Sequence, residues 1–225
     1  MTPAARPGAA ARPKAPRGWQ FSRLAIAGRE VTARLIGPGI AWLIRGPAVR
    51  GQEHLAELDG PCLICPTHAS HLDFSSVRLA LGPRHRRRLA AAAAADYFSV
   101  SRPRWFVAAW LGSFAFKRTG GGAESVAAAE GLLAAGWNVL VFPEGTRTTT
   151  GDIGAFRPGA GLIAGHTGCQ VLPVRITGVR DVLPKGARRP HRAQVEVRFG
   201  TPLRATPGED PRQFTGRLEA AVRAL

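Results

Sequence analysis

The sequence predicts an α/β protein: a mixed, largely parallel sheet flanked by helices, with an amphipathic helical segment in front of it. Three observations carry this expectation. From Pro61 onward, short apolar runs alternate with helical patterns of about ten residues, an order that buries a sheet between two helical layers. No period of roughly 20 to 50 residues recurs, which removes a solenoid. The 225 residues, 45% of them apolar, suffice for one sizeable core; with only three cysteines they also exclude an acidic tail, a collagen-like repeat and a disulfide-built mini-protein. The odd cysteine count fits a reducing compartment.

Residues 1–18 are Ala, Pro, Gly, Arg and Lys with almost no large apolar side chain, and read as a disordered basic arm because they cannot bury enough surface to offset ordering entropy. Residues 19–47 bring Trp19, Phe21, Leu24, Val31, Leu35 and Trp42 among Arg23, Arg29, Arg34 and Arg45. Their longest uncharged run, 35–44, is broken by Gly37, Pro38 and Gly39 and is too short for a bilayer core of about 30 Å. It suits two short amphipathic helices hinged at 37–39. Those helices either lie in a headgroup layer, arginines on phosphates and tryptophans at the interface, or pack as a hairpin on the domain's own core. A secretory leader is not expected, since the apolar stretch starts late and no small-residue cleavage pattern follows.

Residues 48–225 form the main domain. Strands are expected at 62–65, 89–95, 114–117, 138–142, 170–176 and 194–199, each a short apolar run. Helices are expected at 73–81, 102–111, 124–135, 159–166 and 212–224, the last strongly amphipathic. In such folds ligands bind in the loops past the strand ends.

The charge narrows the partner. Thirty-one basic residues, 28 of them Arg, stand against 15 acids for a net +16. Residues 1–50 hold half of that excess and a single acid, Glu30. An anionic partner follows: nucleic acid, a membrane surface or a phosphorylated substrate. Nucleic acid fits worst, because the clusters Arg84, Arg86, Arg87, Arg88 and Arg188, Arg189, Arg192 have no interleaved stacking aromatics, and Tyr97 is the only tyrosine.

Three segments carry chemistry. The first, 61–74, reads PCLICPTHASHLDF. Zinc ligation by Cys62, Cys65, His68 and His71 is disfavoured, since an extended strand turns Cys62 and Cys65 to opposite faces and so little chain cannot wrap a tetrahedron; no metal is expected. The alternative pairs His68 with Asp73. A spacing of five separates them by about 140° on a continuous helix, so they meet only if His68 lies in the turn before the helix and Asp73 on its first turn. A carboxylate there fixes the imidazole tautomer and supports the charge that develops when the other nitrogen takes a proton. His71, two residues from Asp73, competes less well for it. The second segment, 138–148, reads NVLVFPEGTRT and ends a buried strand in a loop of exposed amides, a hydroxyl and the Arg147 guanidinium, a phosphate-binding arrangement. The third, 112–122, reads GSFAFKRTGGG and delivers Lys117 and Arg118 before a glycine-opened helix.

Jointly and in this order, the segments resemble the glycerolipid acyltransferase family, best known for the 1-acylglycerol-3-phosphate acyltransferases. His68 and Asp73 match the catalytic pair of the motif N-H-x-x-x-x-D, with Thr67 in the place of Asn and Ser70 matching a common Ser. Gly112, Phe116 and Arg118 resemble the second motif, residues 142–147 match F-P-E-G-T-R throughout, and Leu172, Pro173 and Val174 resemble the V-P-V-like fourth. Phe156, Arg157, Pro158 and Gly159 resemble its F-K-x-G segment. The resemblance covers roughly 50–200. It implies acyl transfer from acyl-CoA or acyl carrier protein to the hydroxyl of a lysophospholipid, with His68 as general base and Asp73 orienting it. Arg118, Glu144, Gly145, Thr146 and Arg147 are then expected to hold the acceptor, with Thr67, Ser70, Lys117 and Pro173 in support. No cofactor is implied, and no nucleic acid; the expected location is the cytoplasmic side of the cell membrane, peripheral or monotopic.

Overall fold

A computed structural model describes residues 18–94, 106–107, 109–116, 122–148, 152–182 and 189–225. All of the basic arm at 1–18 except Gly18, the first turn of the expected 102–111 helix, Lys117 and Arg118 lie outside the described residues.

Seven strands form one sheet among the described residues: β1 Ala48–Arg50, β2 Cys62–Pro66, β3 Leu89–Ala94, β4 Ser113–Phe116, β5 Asn138–Leu140, β6 Gln170–Thr177 and β7 Glu196–Phe199, in the order β1-β7-β6-β2-β5-β3-β4. The block β6-β2-β5-β3-β4 is parallel throughout. β7 runs antiparallel to β6 and takes β1 as its parallel outer neighbour. The helices are α1 Arg23–Leu43, α2 Asp73–Ala80, α3 Pro83–Arg86, α4 Gly122–Ala134, α5 Gly159–Thr167, α6 Val179–Val182 and α7 Pro211–Ala224.

β2 is buried at every position because alternate side chains feed two cores. Cys62 and Ile64 join Val77, Leu81, Leu140 and Phe199 on one face. Leu63 and Cys65 join Val139, Ile163, Phe214 and Leu218 on the other. The two cysteines thus project to opposite faces, as the strand period demands, and burial pushes the Cys62 thiol up to about 12 and raises Cys65 as well. α5 meets α7 at Gly161, where any Cβ would collide with the Pro211 carbonyl. Asp210 caps α7 by accepting from the amides of Arg212 and Gln213.

The N-terminal segment corrects the expectation. No hinge opens at 37–39: α1 runs unbroken for 21 residues with Pro38 inside it. The missing Pro38 N–H costs one helical bond. The helix persists because residues on both sides of the proline are held by the domain. Gly37 is buried near Leu79, and Ile40, Leu43 and Ile44 pack on the first core. Toward the start, Glu30 accepts from Arg78 at 3.0 Å and from Arg86 at 3.1 Å. Arg29 donates to the Gln20 carbonyl at 2.6 Å, and burial lowers its pKa to about 10. The sole acid of the first 50 residues therefore ties the helix down. The strands and helices otherwise fall within a few residues of the expected ones; β1, α3 and α6, each of three or four residues, carried no sequence pattern long enough to announce them.

Candidate active site

The parallel block brings the carboxyl ends of β2, β3, β4 and β5 to one edge, the place where open α/β sheets bind ligands. β2 ends at Pro66. Thr67 then prolongs the pairing with β6: its amide donates to the Val174 carbonyl at 3.2 Å, and its hydroxyl accepts from the Ile176 amide at 3.0 Å. A hydroxyl thus anchors the start of the turn at the position where the family motif has Asn.

His68 sits in the turn before α2, and Asp73 is the first residue of that helix. His68 Nδ1 lies 2.9 Å from Asp73 Oδ2, which also accepts from the amides of Ala69 at 2.7 Å and Ser70 at 2.8 Å. Asp73 is 1% exposed. Three donors converging on one buried carboxylate oxygen fix both the turn and the ring, and leave Nε2 as the imidazole nitrogen that Asp73 does not engage. The ring also stacks on Phe142, centroids 3.8 Å apart and planes 19° apart. Ser70 Oγ accepts from the Leu72 amide at 3.3 Å.

The loop after β5 grips the same turn. Glu144 Oε1 accepts from the His68 amide at 2.7 Å, and the Thr148 amide donates to the His68 carbonyl at 2.9 Å, so both backbone groups of His68 are held by the 142–148 loop. The other Glu144 oxygen accepts from the Gly154 amide at 2.9 Å. Burial raises the Glu144 carboxyl above the usual carboxylate range, opposed by these two backbone amides. Gly145 turns the loop with φ of 71°, and a Cβ there would lie 2.8 Å from Arg157 Nε. Gly145→Ala is therefore expected to cost about 1–2 kcal/mol, read as a lowered urea midpoint; an unchanged midpoint would show that the loop relaxes freely.

A cavity of about 780 Å³ opens at this edge. Ala91, Ala92, Ala93, Val107, Leu111 and Phe116 supply its apolar wall, and the alanine methyls of β3 leave volume that larger side chains would fill. His68, Ser70, His71, Gly145, Arg147 and Arg157 supply its polar side. Of the residues singled out in the sequence, Thr67 and Glu144 line instead a second, smaller cavity of about 490 Å³. Thr146 is exposed, Pro173 is buried within β6 opposite Cys65, and neither lines the larger cavity. His71, which competes less well for Asp73, and Arg157, which the sequence places only in the F-K-x-G-like segment, also line the larger cavity; the fold, not the spacing, brings them in.

Fold and site together define an α/β protein whose apolar cavity ends at a part-buried histidine held by a buried aspartate, and at an exposed arginine. The Acyltransferase family model matches residues 46–177, more than half of the sequence, and the chain belongs to that family. It is 29% identical over 141 residues to a chloroplastic 1-acyl-sn-glycerol-3-phosphate acyltransferase of Brassica napus, covering 62% of this chain and 39% of that one. It is 31% identical over 160 residues to 1-acyl-sn-glycerol-3-phosphate acyltransferase alpha of Mus musculus, covering 66% and 52%. The chain thus spans about half or less of the length of these relatives. The crystal structure of the 1-acyl-sn-glycerophosphate acyltransferase PlsC from Thermotoga maritima superposes with a TM-score of 0.69 at 22% identity, over 91% of this chain and 82% of that one, a likeness of fold.

Proposed function

We propose that the protein transfers a fatty acyl group from acyl-CoA or acyl carrier protein to the free hydroxyl of a lysophospholipid, with 1-acyl-sn-glycerol-3-phosphate as acceptor and phosphatidic acid as product. The observation that carries this reading is the His68-Asp73 pair, 2.9 Å apart, at the polar side of a cavity whose remaining wall is apolar. The names of the two relatives and of the Thermotoga protein support the choice of acceptor.

His68 Nε2 takes the acceptor's hydroxyl proton as that oxygen attacks the thioester carbonyl. Asp73 supports the imidazolium so formed. The tetrahedral centre then collapses, the C–S bond breaks, and the proton passes to the leaving thiolate. A thioester is already activated, so the step requires neither an enzyme nucleophile nor a cofactor. Arg147, at the polar side of the cavity, meets the acceptor's phosphate, and Gly145 leaves the loop backbone close beside it. Glu144 acts at one remove: with both oxygens on backbone amides, it fixes the His68 turn and the 152–156 loop rather than touching the acceptor. Thr67 and Ser70 support the same turn. Roles for Lys117 and Arg118 at the phosphate rest on the motif resemblance.

The protein meets an anionic membrane surface through α1. Leu24, Val31, Leu35 and Trp42, spaced by seven, four and seven residues, fall on one helix face about 40° wide, and all four are exposed. Arg23 and Arg34 are exposed beside them, and the opposite face packs on the domain. Among the described residues no helix is long and apolar enough to cross a membrane. Val107, half-exposed, also lines the cavity, so its apolar wall reaches the surface. Replacing both Leu35 and Trp42 with Asp is expected to weaken co-sedimentation with anionic liposomes by about 10-fold or more. Full retention at moderate salt would move the contact elsewhere. The reaction itself is tested by incubating the protein with each donor and a panel of lyso-acceptors while following thiol release. Phosphatidic acid is the expected product; thiol release with no acylated acceptor from either donor would overturn the reading.

A further inference from the structure

His71 finds neither role that its sequence position suggested. Asp73 Oδ2 is filled by the His68 ring and two amides, and the two cysteines lie buried in separate cores. Instead, His71 is exposed on the turn between β2 and α2, lines the large cavity, and its Nε2 lies 2.5 Å from Arg147 Nη1. A guanidinium has no lone pair to offer and must donate, so Nε2 accepts and the ring is neutral, its proton on Nδ1. Among the described residues no carboxylate pairs with Arg147.

The chemistry of that partner matters. A carboxylate in its place would hold the guanidinium equally well, but would cancel its charge and compete with any incoming anion. A neutral imidazole fixes one N–H of the five and leaves the charge, together with enough N–H groups for a bidentate contact, turned toward the ligand. We propose that His71 is a positioning residue for recognition of a phosphate-bearing acceptor: it orients Arg147 at the cavity without neutralising it. This rests on the reading that Arg147 meets the acceptor's phosphate. In this role His71 contributes to phosphate recognition through Arg147, so that contribution vanishes when Arg147 is absent and for acceptors without a phosphate.

The test compares His71→Ala, His71→Gln, His71→Glu, Arg147→Ala and the His71→Ala/Arg147→Ala double variant. Lysophosphatidic acid and monoacylglycerol serve as acceptors, and equilibrium binding of a short-chain lysophosphatidic acid is measured alongside, so that the outcome does not depend on turnover. His71→Ala is expected to raise KM and Kd for lysophosphatidic acid about 3- to 10-fold with kcat within about twofold, the size of one positioning hydrogen bond. Its effect on monoacylglycerol is expected to be within error. Gln, whose amide oxygen reaches the Nε2 position, is expected to restore most of the affinity. Glu, which also accepts but neutralises Arg147, is expected to bind lysophosphatidic acid more weakly than Gln does. The double variant is expected to match Arg147→Ala alone. Independent, multiplying effects of the two single variants, equal behaviour of Glu and Gln, or a fall confined to kcat would overturn the role of His71. An Arg147→Ala variant that binds lysophosphatidic acid as well as the wild type would instead overturn the underlying assignment of Arg147 to the phosphate.

Discussion

His68→Ala is expected to lower kcat for acyl transfer by about 10²- to 10⁴-fold, the range over which a positioned general base contributes. The same variant should fold. The contacts that hold residue 68 to the rest of the site run through its backbone, from its amide to Glu144 and from the Thr148 amide to its carbonyl, and alanine keeps both. Asp73 retains the Ala69 and Ser70 amides. What is lost is the ring: its stacking on Phe142 and one hydrogen bond to the carboxylate, worth about 1 kcal/mol in stability. Circular dichroism and a denaturation midpoint establish the fold, and thiol release gives the rate. A folded His68→Ala protein turning over at the wild-type rate would remove His68 from the mechanism.

Asp73→Asn separates orientation from charge. Three N–H donors converge on Oδ2, so the asparagine amide oxygen is held at that position and still accepts from His68 Nδ1. The tautomer is therefore kept, and the loss is the negative charge that supports the imidazolium. A fall in kcat on the order of 10²-fold follows, short of the ~10⁴-fold that accompanies a wrong tautomer. The amide nitrogen then lies where Asp73 Oδ1 is buried with no hydrogen-bond partner, which costs about 1–3 kcal/mol of stability. Asp73→Ala releases all three donors and should lose both activity and the order of the turn. If Asn instead matches Ala in rate, Asp73 acts by its charge alone and the orientation that Asn preserves contributes nothing to the rate. If Asn matches the wild type in rate, the negative charge plays no part in the chemistry and Asp73 acts by orienting the imidazole.

Much of this site could be read from the chain because its information is local. The spacing of His68 and Asp73 lets them meet only across a turn before the helix, and the resemblance to N-H-x-x-x-x-D selects that pairing; the loop 142–147 follows from an apolar strand stopped by Pro143. The buried strands β2, β3, β5 and β6 are apolar runs whose length and bounding residues distinguish them from helices. Non-local packing hid the rest. Pro38 within a Gly-Pro-Gly stretch reads as a hinge, yet Gly37, Ile40 and Ile44 are held on the core and α1 continues through it. Glu144 reads as a substrate contact within its motif, but its partners are the amides of His68, 76 residues away, and Gly154. No pattern along the chain reveals which way a loop carboxylate turns. Arg147 and His71 are likewise 76 residues apart and meet only because β2 and β5 are neighbours in the sheet.

The central claim is that a His68-Asp73 pair at the polar side of a lipid cavity drives acyl transfer to a lysophospholipid hydroxyl. It is tested most directly by mass spectrometry of the lipid products when wild-type and His68→Ala proteins receive lysophosphatidic acid and an isotopically labelled acyl thioester, on CoA and on acyl carrier protein in turn. The account predicts labelled phosphatidic acid from the wild type with at least one donor, and about 10²- to 10⁴-fold less from His68→Ala. Labelled free fatty acid without labelled phosphatidic acid, or equal yields from the two proteins, would contradict it.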